Sequence, residues 1–175
     1  MFSPPLSVGC GGEHEVLDFK IIFDVSDGEI LSRLRAAMPD GIDVSEVYTQ
    51  KDRLRDIAFA EYDIEFRHVC LSESDGADLV GTVRDMFAVP VVLMKRSKRG
   101  EREVDISPLV KSISALHEGD LLTVRTLISA SGENYLNPEY VARAVSDRYG
   151  LTGDGIYHVI RRRRLLLDDA ESDFR

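Results

Sequence analysis

Residues 60–67, AEYDIEFR, decide the fold because apolar and charged side chains alternate along them without a break. The apolar positions are Ala60, Tyr62, Ile64 and Phe66, and the charged positions are Glu61, Asp63, Glu65 and Arg67. Successive side chains of a strand point to opposite faces of its sheet. The stretch therefore predicts a strand with one buried face and one wet face.

Helices and further strands follow this strand. Ser72 to Asp78 lead into a helix that extends to about Phe87, and Asn137-Pro138-Glu139 begins a helix that Gly150 ends. Further strands are predicted at residues 89–94, 104–106, 121–129 and 157–167. The order from residue 59 on is β–α–β–β–(β)–α–β. It predicts an α+β domain over residues 58–167 of the ferredoxin-like (split βαβ) class, with helices on one face of an antiparallel sheet.

The first fifty residues give a shorter series of elements. Residues 16–23 (VLDFKIIF) have apolar side chains at every second position, which predicts a strand. A helix follows from Ser26 to Pro39, and residues 42–47 predict a second strand. Residues 1–50 are thus expected to form an incomplete βαβ unit, the remnant of a larger N-terminal half. Residues 49–57 are predicted to be a linker and 168–175 a frayed polar tail.

The composition is that of an acidic globular protein. The chain has 175 residues, 43% of them hydrophobic, and a net charge of −9 from 31 acids and 22 bases. Such a charge disfavours non-specific binding to nucleic acid. Screening limits exposed charges to a range of about 8 Å at physiological salt, so a local basic patch can still bind phosphates.

Metal and catalytic motifs are not recognisable in the chain. Cys10 and Cys70 are sixty residues apart, which is unlike the clustered ligands of zinc and iron–sulfur sites, and no cofactor is predicted. The four histidines are scattered, and spacing alone indicates no catalytic triad. The first residues are unlike a signal peptide, and no apolar run approaches the roughly 18 residues that span a bilayer. We therefore expect a cytoplasmic protein.

A basic stretch at residues 95–105 stands out on this acidic chain. Gly100 allows a tight turn, which would place the bases on a hairpin tip. They are then either phosphate ligands or simply solvated charges. The candidate ligands are Lys95, Arg96, Lys98, Arg99 and Arg102.

A second basic run lies in the last predicted strand and consists of Arg161, Arg162, Arg163 and Arg164. Because side chains alternate, one pair must point toward whatever covers the sheet, and a buried guanidinium requires a carboxylate partner. Either Asp105 or Glu103 neutralises the inward pair, or the run passes the sheet edge and extends the phosphate-binding path. Asp105 is also the one carboxylate that we consider as a candidate catalytic residue.

Several stretches together resemble one family, an uncharacterised bacterial domain associated with radical S-adenosylmethionine (radical SAM) proteins. Lys98 to Leu109 is similar to its basic turn and "REVDIRPL" string, and Ile160 to Leu167 to its closing "RTRLLL" string, with Arg163 where Thr is usual. The stretches Pro4 to Gly9, with Glu15 and Leu17-Asp18 beyond it, and Asn137 to Val141 also match. The resemblance implies a radical SAM/cobalamin-binding partner, and it implies that an N-terminal segment of the family is lacking.

Three hypotheses follow for the function. In the first, the chain is a recognition module without catalytic activity of its own, and its arginines and lysines bind RNA or another macromolecular substrate for the partner. In the second, it is a protein–protein module that docks the radical SAM enzyme through an uncovered apolar face. In the third, Asp105 acts as nucleophile or base in an enzyme that modifies a nucleic-acid base.

Overall fold

The structure, a computed structural model, describes residues 2–97, 100–153, 155–168 and 172–174. In this part of the chain it contains seven strands and three α-helices. The protein is therefore of the mixed α+β class. The helices are α1 (Asp27–Ala37), α2 (Glu73–Asp85) and α3 (Pro138–Tyr149). The strands are β1 (Cys10–Gly12), β2 (Phe59–Arg67), β3 (Val92–Ser97), β4 (Gly100–Asp105), β5 (Val110–Glu118), β6 (Leu121–Ser129) and β7 (Tyr157–Leu166).

Five strands form one sheet in the order β1-β7-β2-β6-β5. The pairs β7–β2, β2–β6 and β6–β5 are antiparallel, and the short β1 lies parallel to β7 at one edge. β3 and β4 form a separate antiparallel hairpin. Strand β2 therefore lies at the centre of the sheet, with its neighbours drawn from the C-terminal half of the chain.

The alternation predicted for β2 is confirmed. Its four apolar side chains are at most 1% exposed, and they pack with Leu122, Val124 and Ile128 of β6. Residues of α2 and α3 belong to the same hydrophobic cluster, so both helices cover this side of the sheet. We call this side the core face, and the side with Glu61, Asp63 and Glu65 the open face.

The helix boundaries follow the capping residues in the sequence. Ser26, Ser72 and Asn137 each accept a hydrogen bond from a backbone N–H of the first turn, which confirms the three predicted helix starts. Gly150 ends α3 in a left-handed conformation with φ of 65°, as predicted from its lack of a side chain. No helix in the described ranges is long and apolar enough to cross a membrane.

The βαβ unit predicted for residues 1–50 is wrong. Helix α1 forms, but residues 18–23 and 42–47 have no strand assignment, and Leu17 makes only an isolated bridge to Phe2. The physical reason is that a strand pattern needs a neighbouring strand to pair with its backbone. The edge of the sheet next to β7 is formed by the three residues of β1.

Two further differences arise where tertiary contacts override the local pattern. Strand β5 was not predicted, because it is an edge strand whose serines and exposed Leu116 obscure the alternation. The tail was expected to fray, but Asp173 bridges Leu166 and Phe174 is completely buried. One aromatic side chain thus anchors residues 172–174.

Replacement of each of the two glycines of α2 by alanine should change the free energy of unfolding in opposite directions. Gly→Ala in a helix usually stabilises by about 1 kcal/mol, and we expect this for Gly81→Ala, because the space around Gly81 is open. In Gly76→Ala the new Cβ would overlap the ring of His117, which hydrogen-bonds the Val69 carbonyl. We expect a loss of about 1–3 kcal/mol there. Urea unfolding of both variants is the test, and equal stabilisation would contradict the packing.

Candidate functional site

Strand β7 carries its arginine run beside the acidic row of β2. The register pairs Arg161 with Asp63 on the open face and Arg162 with Tyr62 on the core face. A β-bulge in the pairing shifts the register within the run. One arginine therefore enters the core, and its neighbours remain on the open face.

The guanidinium of Arg162 is completely buried. Its Nε donates to Glu15 Oε1 at 2.9 Å, its Nη2 contacts Glu15 Oε2, and its Nη1 donates to the Pro4 carbonyl at 2.6 Å. Nη2 also lies 3.5 Å from the hydroxyl of Ser3. Gly12 makes room for this arrangement, because a Cβ there would overlap the Glu15 carboxylate. Residues 3–15, which we call the N-terminal segment, thus supply both the anion and the acceptors that a buried cation requires.

Two phenols lie close to this ion pair and remain neutral. Burial raises the pKa of Tyr62, although the Arg162 guanidinium acts in the opposite direction. Burial also raises the pKa of Tyr135, again against the effect of Arg162. Both hydroxyls are therefore protonated at neutral pH, and the charge of Arg162 is balanced by Glu15 rather than by a phenolate.

On the open face, Arg161 and Arg163 converge on Glu13. Their Nη1 atoms donate to Glu13 Oε1 at 3.2 Å and 3.0 Å. Arg163 Nε also lies 3.8 Å from a carboxylate oxygen of Asp63. Glu13 and Glu15, two residues apart in the N-terminal segment, therefore hold three consecutive arginines of β7.

The other arginines of the open face are also paired. Arg164 makes two 3.1 Å hydrogen bonds to Glu61 and lies 3.5 Å from Asp173, and Arg125 binds Asp63 with bonds of 2.7 Å and 2.9 Å. The bonds to Glu61 and Asp63 raise the pKa of the two guanidiniums. Four arginines thus face four carboxylates here, and their charges cancel.

The basic hairpin lies on the other side of the molecule. Lys95 and Arg102 face each other across β3 and β4, and Lys95 Nζ lies 5.9 Å from the ring centroid of Tyr140 in α3. Because α3 covers the core face, the hairpin and the open face do not form one groove. The phosphate-binding roles of both runs stay predictions. Lys98, Arg99 and the side chain of Arg96 lie outside the described residues.

Asp105 has the contacts of a residue that fixes a turn. Its Oδ1 accepts the Ser107 hydroxyl at 2.7 Å and the amides of Ser107 and Val91 at 3.0 Å each. These hydrogen bonds, the Ser107 hydroxyl first, lower the pKa of Asp105. The alternative in which Asp105 or Glu103 neutralises the inward arginine is wrong, because Glu15 does so. A catalytic role for Asp105 stays a prediction.

A small cavity of about 160 Å³ brings together residues that spacing did not connect. Cys10, Glu139 and His158 line it, and His158 Nε2 lies 3.0 Å and 3.1 Å from the carboxylate oxygens of Glu139. Burial and then the negative charge of Glu139 raise the pKa of the Cys10 thiol, which makes it a poor nucleophile. The described residues hold no cluster of three or more metal-binding side chains.

An uncovered apolar surface lies between residues 19–25 and α1. Phe19, Ile21, Ile22 and Phe23 are 42–78% exposed, and with Ile30 and Leu34 they line an open groove of about 350 Å³. We call it the apolar groove. Lys20 and Arg33 also line it. The sequence signal is the apolar run itself, which predicts a strand that the structure does not form.

Comparison with protein-family models gives a match over most of the chain. The model of the family DUF2344, described as "Uncharacterized protein conserved in bacteria", matches residues 1–138. The match includes the N-terminal segment, the apolar groove and the hairpin, and it ends at the start of α3. No curated protein and no solved structure matches the chain.

Removal of one charge should separate the ion pair of the buried Arg162, whose partner Glu15 is itself 42% exposed, from the pairs in which both partners are exposed. Glu15→Gln leaves the Arg162 guanidinium buried without its anion, and we expect a loss of about 3 kcal/mol in the free energy of unfolding. Glu13→Gln, the matched control, removes the partner of two half-exposed arginines and should cost less than about 1 kcal/mol. Chemical denaturation measures both. A small effect of Glu15→Gln would contradict the pairing.

Proposed function

The chain belongs to the DUF2344 family of uncharacterized proteins conserved in bacteria, and we propose that this member is a binding module that docks a protein partner through the apolar groove. The family resemblance in the sequence supports a radical SAM/cobalamin-binding protein as that partner. The module contributes recognition, and the partner contributes the chemistry.

One observation carries this proposal: the apolar side chains of the groove are exposed together. Ile22 and Phe23 are 78% and 74% exposed, and they adjoin Phe19 and Ile21 in the same short segment. Scattered exposed apolar residues are normal on protein surfaces, whereas a contiguous patch is typical of an interaction site. Burial of such side chains in a complex would contribute about 1.5–3 kcal/mol each at full burial.

The charges at the rim of the groove indicate the chemistry of the partner segment that would bind there. Lys20 and Arg33 bring positive charge next to the apolar floor, although Arg33 also binds Glu29 at 2.5 Å. A partner segment with two or three apolar anchors and flanking carboxylates would complement this surface. An amphipathic helix with an acidic margin has that character.

The architecture also favours a recognition module. The segment β2–α2–β5–β6–α3–β7 has strand order β7-β2-β6-β5 with all neighbours antiparallel. This order, with both helices on the core face, supports assignment to the ferredoxin-like class. On this view the hairpin β3–β4 and the N-terminal segment are additions to a common scaffold, and they carry the distinctive surfaces.

The docking proposal is tested with a radical SAM/cobalamin-binding protein from the same organism, the partner that the family resemblance implies. We expect the wild type to co-elute with it, and the double variant Ile22→Asp/Phe23→Asp to bind at least about thirtyfold more weakly, because two apolar anchors are lost. Calorimetric titration gives the affinities. Leu116→Asp is the control, since Leu116 is 56% exposed on the distant strand β5. Equal affinity of the double variant and wild type would refute the groove as docking site.

A second candidate function is RNA binding, and the exposure of the basic side chains favours it. The arginines of β7 on the open face are 38–46% exposed despite their carboxylate partners, and Arg102 is exposed on the hairpin. The balance of charge on the open face weakens long-range attraction for a polyanion.

RNA binding is distinguished by its dependence on salt. If Lys95 and Arg102 neutralise phosphates, the affinity for single-stranded RNA should fall steeply with salt, and Lys95→Glu/Arg102→Glu should flatten the slope. Arg33→Glu, on the apolar groove, is the matched charge reversal and should leave the slope unchanged. Affinity that is insensitive to salt would exclude this function, whatever the outcome of the docking experiment.

A further inference from the structure

The segment of residues 17–23 has the sequence of a strand but no strand conformation in the described chain. Leu17, Phe19, Ile21 and Phe23 are 42–74% exposed, and only Leu17 makes a bridge, to Phe2. An exposed apolar segment with strand periodicity is a template for pairing with another strand. The segment is therefore available for pairing with another strand when no partner is docked.

The backbone near Leu17 shows which edge of the segment is open. The Ser3 amide donates to the Val16 carbonyl at 2.9 Å, so the backbone of Val16 faces the first residues of the chain. Backbone groups of a strand point to alternate edges. In a strand that continues from here, residues 17, 19 and 21 would direct their N–H and C=O groups to the opposite edge.

The charges of the segment select one register for pairing with an identical segment. An antiparallel pair centred on Phe19 places Asp18 opposite Lys20 twice, Leu17 opposite Ile21, and Phe19 opposite itself. Centring on Lys20 would place like charges opposite each other, as would centring on Asp18. Directly opposite residues of an antiparallel pair lie on the same face, so unlike charges there stabilise and like charges destabilise.

A pair centred on Phe19 also uses the open edge. The residues whose backbone groups would face outward, 17, 19 and 21, are the ones that this register brings together. Hydrogen-bond direction restricts the pairing to registers that are centred on a residue, and the charges then select the one centred on Phe19. The interface would be isologous, with each copy contributing the same residues about a two-fold axis.

We propose that, in the absence of a docked partner, two copies of this chain pair antiparallel through residues 17–21, centred on Phe19, and so cover part of each other's apolar groove. The inference rests on the proposed function, because the dimer would block the surface at which the partner docks. Self-pairing and partner binding use the same surface and are mutually exclusive. The radical SAM/cobalamin-binding protein then acts as a competitor that separates the dimer.

A charge swap tests the register directly. The full chain should show a concentration-dependent dimer by sedimentation equilibrium. Asp18→Lys and Lys20→Asp, each alone, should weaken the dimer by at least about tenfold, because both cross-strand pairs become like charges. The double variant Asp18→Lys/Lys20→Asp should restore wild-type affinity. Circular dichroism and urea unfolding verify that each variant is folded.

Three outcomes would overturn the inference: a wild-type chain that stays monomeric, a dimer that is insensitive to both single reversals, or a double variant that is no better than the single ones. These are separate from failure of the docking proposal. A monomer that still binds the partner overturns only the self-pairing. A dimer with the predicted charge dependence and no partner binding overturns the docking proposal.

Discussion

The structure depends on one charged side chain in its interior. Arg162 is fully buried on the core face, and such a guanidinium is tolerated only with a carboxylate and further acceptors in contact. Glu15, the Pro4 carbonyl and the Ser3 hydroxyl meet this demand. The first fifteen residues are thereby tied to the last strand of the sheet, and β1 pairs with β7 beside this contact.

The same requirement, that a cation has a carboxylate partner, is met by the arginines of β7 within the chain itself. Arg162 is neutralised in the core, and the arginines of the open face are matched by carboxylates of β2, of the N-terminal segment and of the anchored tail. Exposed pairs of this kind add little stability individually, but together they remove the field that would attract a polyanion. The apolar groove is an uncovered feature of the described surface, and it is the basis on which we propose docking.

The sequence predicts those parts of the molecule that local rules determine. Alternation along residues 60–67 identified the central strand, residues 121–129 were predicted as a strand and form β6, and capping residues located the helices. Prediction failed where an outcome depended on distant residues. The alternation in residues 16–23 lacks a neighbouring strand, and β5 has the mixed pattern of an edge. Four arginines in a strand required an inward carboxylate, but nothing local could identify Glu15, 147 positions away. The cavity with Cys10 and His158 likewise exists only because β1 pairs with β7.

The buried ion pair is tested most directly by hydrogen exchange at the arginine side chains. In ¹H–¹⁵N spectra near neutral pH, the Nε–H of Arg162 should exchange with water far more slowly than that of Arg161. It is completely buried and bonded to Glu15, whereas Arg161 lies on the open face. Loss of the slow signal in Arg162→Lys assigns it. Nε–H exchange at Arg162 as fast as at Arg161 would contradict the burial of Arg162 and its bond to Glu15.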